Sequence, residues 1–356
     1  MTTEIIARAE GPVGHLTLNR PQALHALNTP MCSAITANLL AWMDDPSIEL
    51  VLIDHSGERG FCAGGDIRML AESGAGDGAA AREFFFIEYR LNHLLFVYPK
   101  PVVVIMDGIT MGGGVGLAAP AAYRVATERT TFAMPETGIG LFPDVGGGWF
   151  LPRMPGHIGL WLALTGARIK AADCELVGMA TDFIESAKIE AFKLALMSEP
   201  AAVETLLVQF EGDAGRPPIA AHQDEIDRLF GGADLAHILA DLEAAQTDWA
   251  AEQLKVLSTK SPQTLAVAFR QLQLGGAAES FADNMAMEYR IGVRVVQKPD
   301  FIEGVRALIV DKDNAPRWKP DAVAAVSDTL LDEIFAPLPS EDEWSPLPGL
   351  SVGRGG

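Results

Sequence analysis

Apolar and polar residues alternate over positions 5–9 and 13–18, on either side of Gly11-Pro12, a pattern that predicts a β-hairpin. Asn19-Arg20-Pro21 ends its second strand. Met31, Ile35, Leu39 and Trp42 then fall on one face at helical spacing, with Thr29 expected as the cap, Pro30 in the first turn and Asp45-Pro46 as the stop. Positions 50–53 and 102–105 are short, continuous apolar runs, the signature of strands buried on both faces. A glycine-rich turn follows each: Gly60 to Asp66 after the first, Gly112-Gly113-Gly114 after the second. Between them a helix is predicted over 81–97, and 74–78 reads as a mobile loop. Further helices are predicted over 115–119, 158–164 and 171–176, with a short strand at 181–184.

From about residue 189 the strand signal vanishes. Helical periodicity takes over at 204–210, 224–230, 235–244, 249–257, 262–274, 279–296, 302–310 and 322–334. Strands alternating with helices, then helices alone, predict an α/β core over 1–200 and a helical region over 201–356, its tail from Pro337 frayed.

Composition narrows the function. With 49% hydrophobic and 21% charged residues, the 356-residue chain reads as a folded globule rather than a disordered one. A formal net charge of −20 disfavours nucleic acid and anionic membranes as partners. Any anionic ligand must therefore be held locally, and Arg59, Arg68, Lys255, Lys260 and Lys312 are the scattered candidates. Cys32, Cys62 and Cys174 form neither a disulfide framework nor a metal-ligand spacing, and the N-terminal stretch lacks the look of a secretory signal. No apolar run reaches membrane-spanning length. The expectation is a cytoplasmic protein with no metal and no membrane partner.

The two glycine turns carry the chemistry. Placed side by side, their backbone N–H groups, those of Ala63 and Gly113, could together hold one carbonyl oxygen as an oxyanion hole. Either turn alone would equally serve tight strand–helix packing. Glu136 and Asp144, each directly after a proline, lie eight residues apart among Phe132, Met134, Ile139, Leu141 and Phe142. Two acids in apolar surroundings titrate apart, one as base and one as acid, whereas loop acids in water do neither. Gly114-x-Gly116-x-x-Ala119 formally satisfies a dinucleotide fingerprint with Glu136 downstream, but Pro135 precedes that acid and no plain βαβ start surrounds it. Neither a G-x-S-x-G motif nor a P-loop is present, no histidine pairs with Cys62, and the histidines follow no metal spacing.

Taken together, LNRPQALHALN (18–28), GFCAGGDI (60–67), GITMGGGVGL (108–117), FAMPETGIGLFPDVGGGWFLPR (132–153) and LALTGARIKAADCELVGMATDFI (162–184) resemble the crotonase, or enoyl-CoA hydratase/isomerase, superfamily. SPQTLAVAFRQL (261–272) and DFIEGVRALIVDKDNAPRW (300–318) resemble the C-terminal signatures of its 3-hydroxyisobutyryl-CoA hydrolase branch. The resemblance implies a spiral of ββα units followed by a helical C-terminal region. It also implies an acyl-CoA thioester of valine breakdown as substrate and no further cofactor. Superfamily members often form trimers or paired trimers, which admits a homo-oligomer here. Carried onto this chain, it implies oxyanion donors at Ala63 and Gly113, active-site carboxylates at Glu136 and Asp144, and a substrate-contacting acid at Glu88. The backbone of Leu24, His25 and Ala26, with Gly65, Asp66 and Ile67, matches the lip for the adenine end of CoA. His25 departs from the asparagine usual there. Gly116 stands where hydratases carry their first glutamate, and Asp144 where they usually carry glycine. That exchange favours thioester hydrolysis over enoyl hydration.

Overall fold

In the computed structural model, which describes residues 2–350, the hairpin forms as expected. Strand β1 (Ile5–Glu10) pairs antiparallel with β2 (Val13–Leu18), and Gly11 turns between them at φ 60°. The remaining strands of this sheet are parallel: β2 to β3 (Leu50–His55), β3 to β4 (Val102–Met106), β4 to β6 (Tyr123–Ala126) and β6 to β8 (Asp182–Phe183). The strands β5 (Ile109–Met111) and β7 (Thr131–Ala133) pair in a second, smaller layer.

This second layer explains the spiral. After each long strand the chain adds one short extended piece to it: Leu27 bridges Gly65, Cys62 bridges Thr110, β5 joins β7, and Phe132 bridges Ile169. Each turn of chain thus places one strand in the main sheet, one piece in the second layer, and then a helix. The glycine turns fall where a piece of the second layer passes into its helix.

The buried strands alternate between two cores, as a period of two requires. Val51, Ile53, Val102 and Val104 face the larger core, whereas Leu50, Leu52, Val103 and Ile105 face a smaller one. The smaller core is covered by helices Ile189–Ser198 and Val203–Phe210, through Phe192, Leu196, Leu206 and Leu207. The first of these helices carries no expectation from sequence, nor does Ile67–Gly74.

Three local expectations are corrected. The cap of helix Thr29–Met43 is Asn28, whose side chain accepts from the Met31 N–H at 2.9 Å, so Thr29 is already inside the helix. The 74–78 segment is not a loose loop. Gly74 ends a helix so close to the end of helix Phe281–Val295 that a Cβ there would lie 2.0 Å from the Val296 carbonyl oxygen, and only the short turn at 75–77 is exposed. Nor is the tail frayed over 337–350. Trp344 is buried and donates its indole N–H to the Phe86 carbonyl oxygen at 3.3 Å, while Glu343 pairs with Arg290 at 2.9 Å. Residues 351–356 lie outside the described residues. No helix among the described residues is long and apolar enough to cross a membrane.

The helices beyond residue 200 matter for the site because two of them reach it. Pro262–Gly276 packs on the turn around Gly147–Phe150, and Phe281–Val295 packs along Ala79–Phe96.

Candidate active site

The two glycine turns meet. A Cβ on Gly112 would stand 3.1 Å from the Gly64 Cα, and one on Gly113 would stand 3.3 Å from the Gly64 carbonyl carbon. Bare backbone is what lets the turns approach this closely. The cleft beside them is lined by Gly65, Gly113, Glu88, Glu136 and Asp144, with Phe84, Ile139, Leu141 and Val145 as its apolar wall.

The donor expected at Ala63 is otherwise engaged. Its N–H donates to the Leu24 carbonyl oxygen at 3.0 Å, which ties the turn to the segment before the first helix. Two positions on, Gly65 lines the cleft and its N–H carries no hydrogen bond within the described residues; the same holds for Gly113. Successive peptide planes in a turn point different ways, so which N–H faces the cleft depends on geometry rather than on residue type. The available pair is Gly65 and Gly113.

The acids expected to converge do so. Glu136 opens a single helical turn, Glu136–Ile139, directly after β7 and Pro135. Asp144 lies ahead of two consecutive left-handed residues, Val145 (φ 52°) and Gly146 (φ 96°), a strained corner for a β-branched side chain. Glu88 comes from the middle of helix Ala79–Phe96. All three are at most 5% exposed. Glu88 Oε1 and Glu136 Oε2 are buried without a hydrogen-bond partner, whereas Asp144 Oδ2 accepts the Tyr89 hydroxyl at 2.8 Å.

Burial sets their titration. It lifts Asp144 to about 7, against the opposing pull of the Tyr89 hydroxyl. Glu136 is held well above the usual carboxylate range by burial and then by the charge on Asp144, with Lys260 pulling weakly the other way. Glu88 is raised by burial and by Asp144 in the same sense. Asp144 is therefore the first of the three to ionise, and its charge keeps protons on its neighbours.

The lip is held by Arg20. Its guanidinium donates to the Ala26 carbonyl oxygen at 2.9 Å and to Asp66 Oδ2 at 3.0 Å, while Asp66 caps helix Ile67–Gly74. Leu24 and His25 are both left-handed, with φ of 49° and 56°. The His25 side chain is spent inside the protein: Nδ1 accepts from the Arg20 N–H, and Nε2 donates to the Ser56 carbonyl oxygen at 2.8 Å. Burial and the neighbouring His55 push its pKa down to about 4, so the ring is neutral. Gly65 and Ile67 line the cleft; Leu24, His25, Ala26 and Asp66 stand outside its wall. Cys62 is buried, donates to the His25 carbonyl oxygen and is pushed up to about 12 by burial, which fits an inert packing residue. Among the described residues no group of three or more His, Cys, Asp or Glu is arranged to hold a metal ion.

Sequence reasoning missed Glu288. It is fully buried on helix Phe281–Val295 and accepts from the N–H groups of Gly146 and Gly148 at 2.8 and 2.9 Å. A carboxylate in the apolar stripe formed by Met285, Tyr289, Ile291 and Val295 was the available signal.

Two backbone N–H groups without partners among the described residues and three buried carboxyls thus line one cleft, on a spiral of ββα units. The chain belongs to the enoyl-CoA hydratase/isomerase family, whose model matches residues 13–335. A relative from Danio rerio named 3-hydroxyisobutyryl-CoA hydrolase, mitochondrial, is 44% identical over 349 residues, covering 96% of this chain and 91% of that protein. Among solved structures, a carnitinyl-CoA dehydratase from Mycobacterium thermoresistibile superposes with a TM-score of 0.92 at 39% identity, covering 97% of this chain and 99% of its own. An enoyl-CoA hydratase from Rhodobacter sphaeroides 2.4.1 gives 0.90 at 42% identity, covering 96% and 100%. The expectation of a cytoplasmic protein is overturned by the relatives, since those of Danio rerio, Rattus norvegicus and Homo sapiens are named as mitochondrial. Unpaired cysteines speak only for a reducing environment and do not separate one such compartment from another.

Proposed function

We infer that this protein is a thioester hydrolase that converts 3-hydroxyisobutyryl-CoA and water into 3-hydroxyisobutyrate and CoA. The observation that carries the reading is the exchange of acids around the cleft. Glu136 and Asp144 are both present and buried, while Gly116 leaves no room for the glutamate that hydration needs. A Cβ at that position would lie 2.6 Å from Asn92 Nδ2 and 2.7 Å from the Val145 Cβ. The hydrolase names of relatives at 40–44% identity support the same reading.

In this reading the thioester oxygen lies between the N–H groups of Gly65 and Gly113, which stabilise the charge that develops as the carbonyl carbon becomes tetrahedral. Loss of one such donor costs roughly 10²–10³-fold in rate. Asp144 ionises first and accepts the proton that Glu136 holds. The Glu136 carboxylate then delivers the attack on the carbonyl carbon. Collapse of the intermediate breaks the C–S bond, the proton on Asp144 goes to the departing thiolate, and the acyl group is left on Glu136 as a mixed anhydride. Asp144, ionised again, takes a proton from water as the water oxygen bonds to the acyl carbon; the bond to Glu136 breaks, the hydroxy acid leaves, and the proton on Asp144 returns to Glu136. Glu88, with its free oxygen, holds the acyl hydroxyl, and the backbone of residues 24–26 and 65–67 receives the CoA end. Water is the only co-reactant the balance requires.

Two assays separate the hydrolase from a hydratase. Free thiol is titrated during incubation with 3-hydroxyisobutyryl-CoA, and enoyl absorbance is followed with crotonyl-CoA. Stoichiometric thiol release in the first and a flat trace in the second are expected. Loss of enoyl absorbance without thiol release would overturn the reading.

A further inference from the structure

Asp144 is held at its side chain by the Tyr89 hydroxyl and sits just ahead of a strained corner. Its neighbours Val145 and Gly146 are both left-handed, so the backbone there needs an external restraint. The restraint comes from far along the chain. Glu288 Oε2 accepts from the Gly146 N–H at 2.8 Å, and Oε1 accepts from the Gly148 N–H and from Asn284 Nδ2, both at 2.9 Å. Gln271 Nε2 completes the set: it donates to Glu288 Oε1 at 3.2 Å and to the Pro143 carbonyl oxygen at 2.7 Å. The residues on both sides of Asp144 are thus tied to one buried carboxyl and one buried amide from helices Phe281–Val295 and Pro262–Gly276.

We propose that Glu288 is a positioning residue for the hydrolysis: its carboxyl holds the Val145–Gly148 corner so that Asp144 meets the Tyr89 hydroxyl and faces the cleft. The inference rests on the thioester-hydrolase reading. Every group around the Glu288 carboxyl is an N–H donor, so a neutral amide of the same size cannot replace it. Glu288→Gln keeps one acceptor oxygen and turns an NH2 group towards an N–H donor. The corner then relaxes, and Asp144 parts from Tyr89. The other titratable groups facing Asp144 are Glu88 on helix Ala79–Phe96 and Glu136 on its turn, both untouched by the substitution, and Glu288 itself, which burial lifts to about 8, so that near pH 7 the substitution removes little charge from beside Asp144. Tyr89 is the neighbour that favours the charged form of Asp144, so its loss makes Asp144 harder to ionise.

The test is a double-mutant cycle read by thiol release from 3-hydroxyisobutyryl-CoA across pH 5–9, on protein whose folded fraction has been verified by thermal unfolding. Glu288→Gln is expected to lower kcat at pH 7 about tenfold or more with KM within about twofold, and to move the acid limb of the profile to higher pH. Combined with Tyr89→Phe, it should add little beyond the larger single effect, because both act through the same hydrogen bond. Gln271→Met, which leaves the carboxyl in place but cuts its tie to Pro143, should move kcat and the acid limb in the same direction by less. Multiplying effects in the double variant, an unmoved acid limb, or a loss explained by unfolded protein would overturn the proposal. Wild-type protein that releases no thiol would instead overturn the hydrolase reading on which it rests.

Discussion

Removing the Tyr89 hydroxyl tests whether Asp144 must be ionised for turnover. The hydroxyl donates to Asp144 Oδ2 at 2.8 Å, inside a site where both partners are buried. A hydrogen bond to a charged group contributes about 1.5–3 kcal/mol, and about 1.4 kcal/mol corresponds to one pKa unit. The bond favours the carboxylate, so its loss in Tyr89→Phe raises the apparent pKa of Asp144 from about 7 to roughly 8–9. At pH 7 the ionised fraction then falls from about one half to between about one tenth and one hundredth, and kcat should fall about 5- to 50-fold with it. By pH 9 roughly half to nine tenths of the activity should return. The assay is thiol release at saturating substrate over pH 5–9. A variant depressed by the same factor at every pH would refute the reasoning, because general damage to the site does not titrate away. So would a variant whose acid limb stays where it is in the wild type.

Glu136→Gln keeps the shape of the cleft and removes the attacking carboxylate; kcat should fall by about 10³-fold or more, while calorimetry with CoA shows binding largely retained. Gly116→Glu restores the acid that a hydratase carries but meets Asn92 and Val145. It should destabilise the fold by about 1–3 kcal/mol and leave crotonyl-CoA unconsumed, checked by thermal unfolding and enoyl absorbance. Asp144 also links stability to pH. Its folded pKa of about 7 lies above the unfolded value of about 3.9, so the stability it contributes is fully present below about pH 4 and is lost as pH rises through 7. The gap corresponds to roughly 4 kcal/mol, and urea denaturation at pH 5 and pH 8 should show a smaller fall for Asp144→Asn than for the wild type.

Much of this was legible in the sequence because it is local. The hairpin, β3 and β4 are written as apolar runs between Gly, Pro and Asn, and the two glycine turns mark where strands yield to helices. The acids at 136 and 144 could be located because their flanks are apolar, and Glu88 only through the resemblance to the family. What was not legible depended on direction or distance. Whether Ala63 or Gly65 offers a free N–H is decided by the hydrogen bond from Ala63 to Leu24, which no residue type announces. Helix Ile67–Gly74 is only eight residues long and runs into Gly, Ala and Asp, which mask its period. The helix expected at 302–310 is instead Pro299–Val305 followed by a wider turn at Arg306–Val310, a difference that apolar spacing does not encode.

The bonds from Glu288 to Gly146 and Gly148 span 142 and 140 residues of sequence. During synthesis the motifs at 60–67, 108–117 and 132–153 leave the ribosome long before the helix that steadies the Asp144 corner. Long-range closures of this kind form late because their loop entropy must be met first. The nascent chain can therefore carry every signature of the site while the site itself is still unset. The Asp144 corner gains its restraint only once helix Phe281–Val295 has been made and packed.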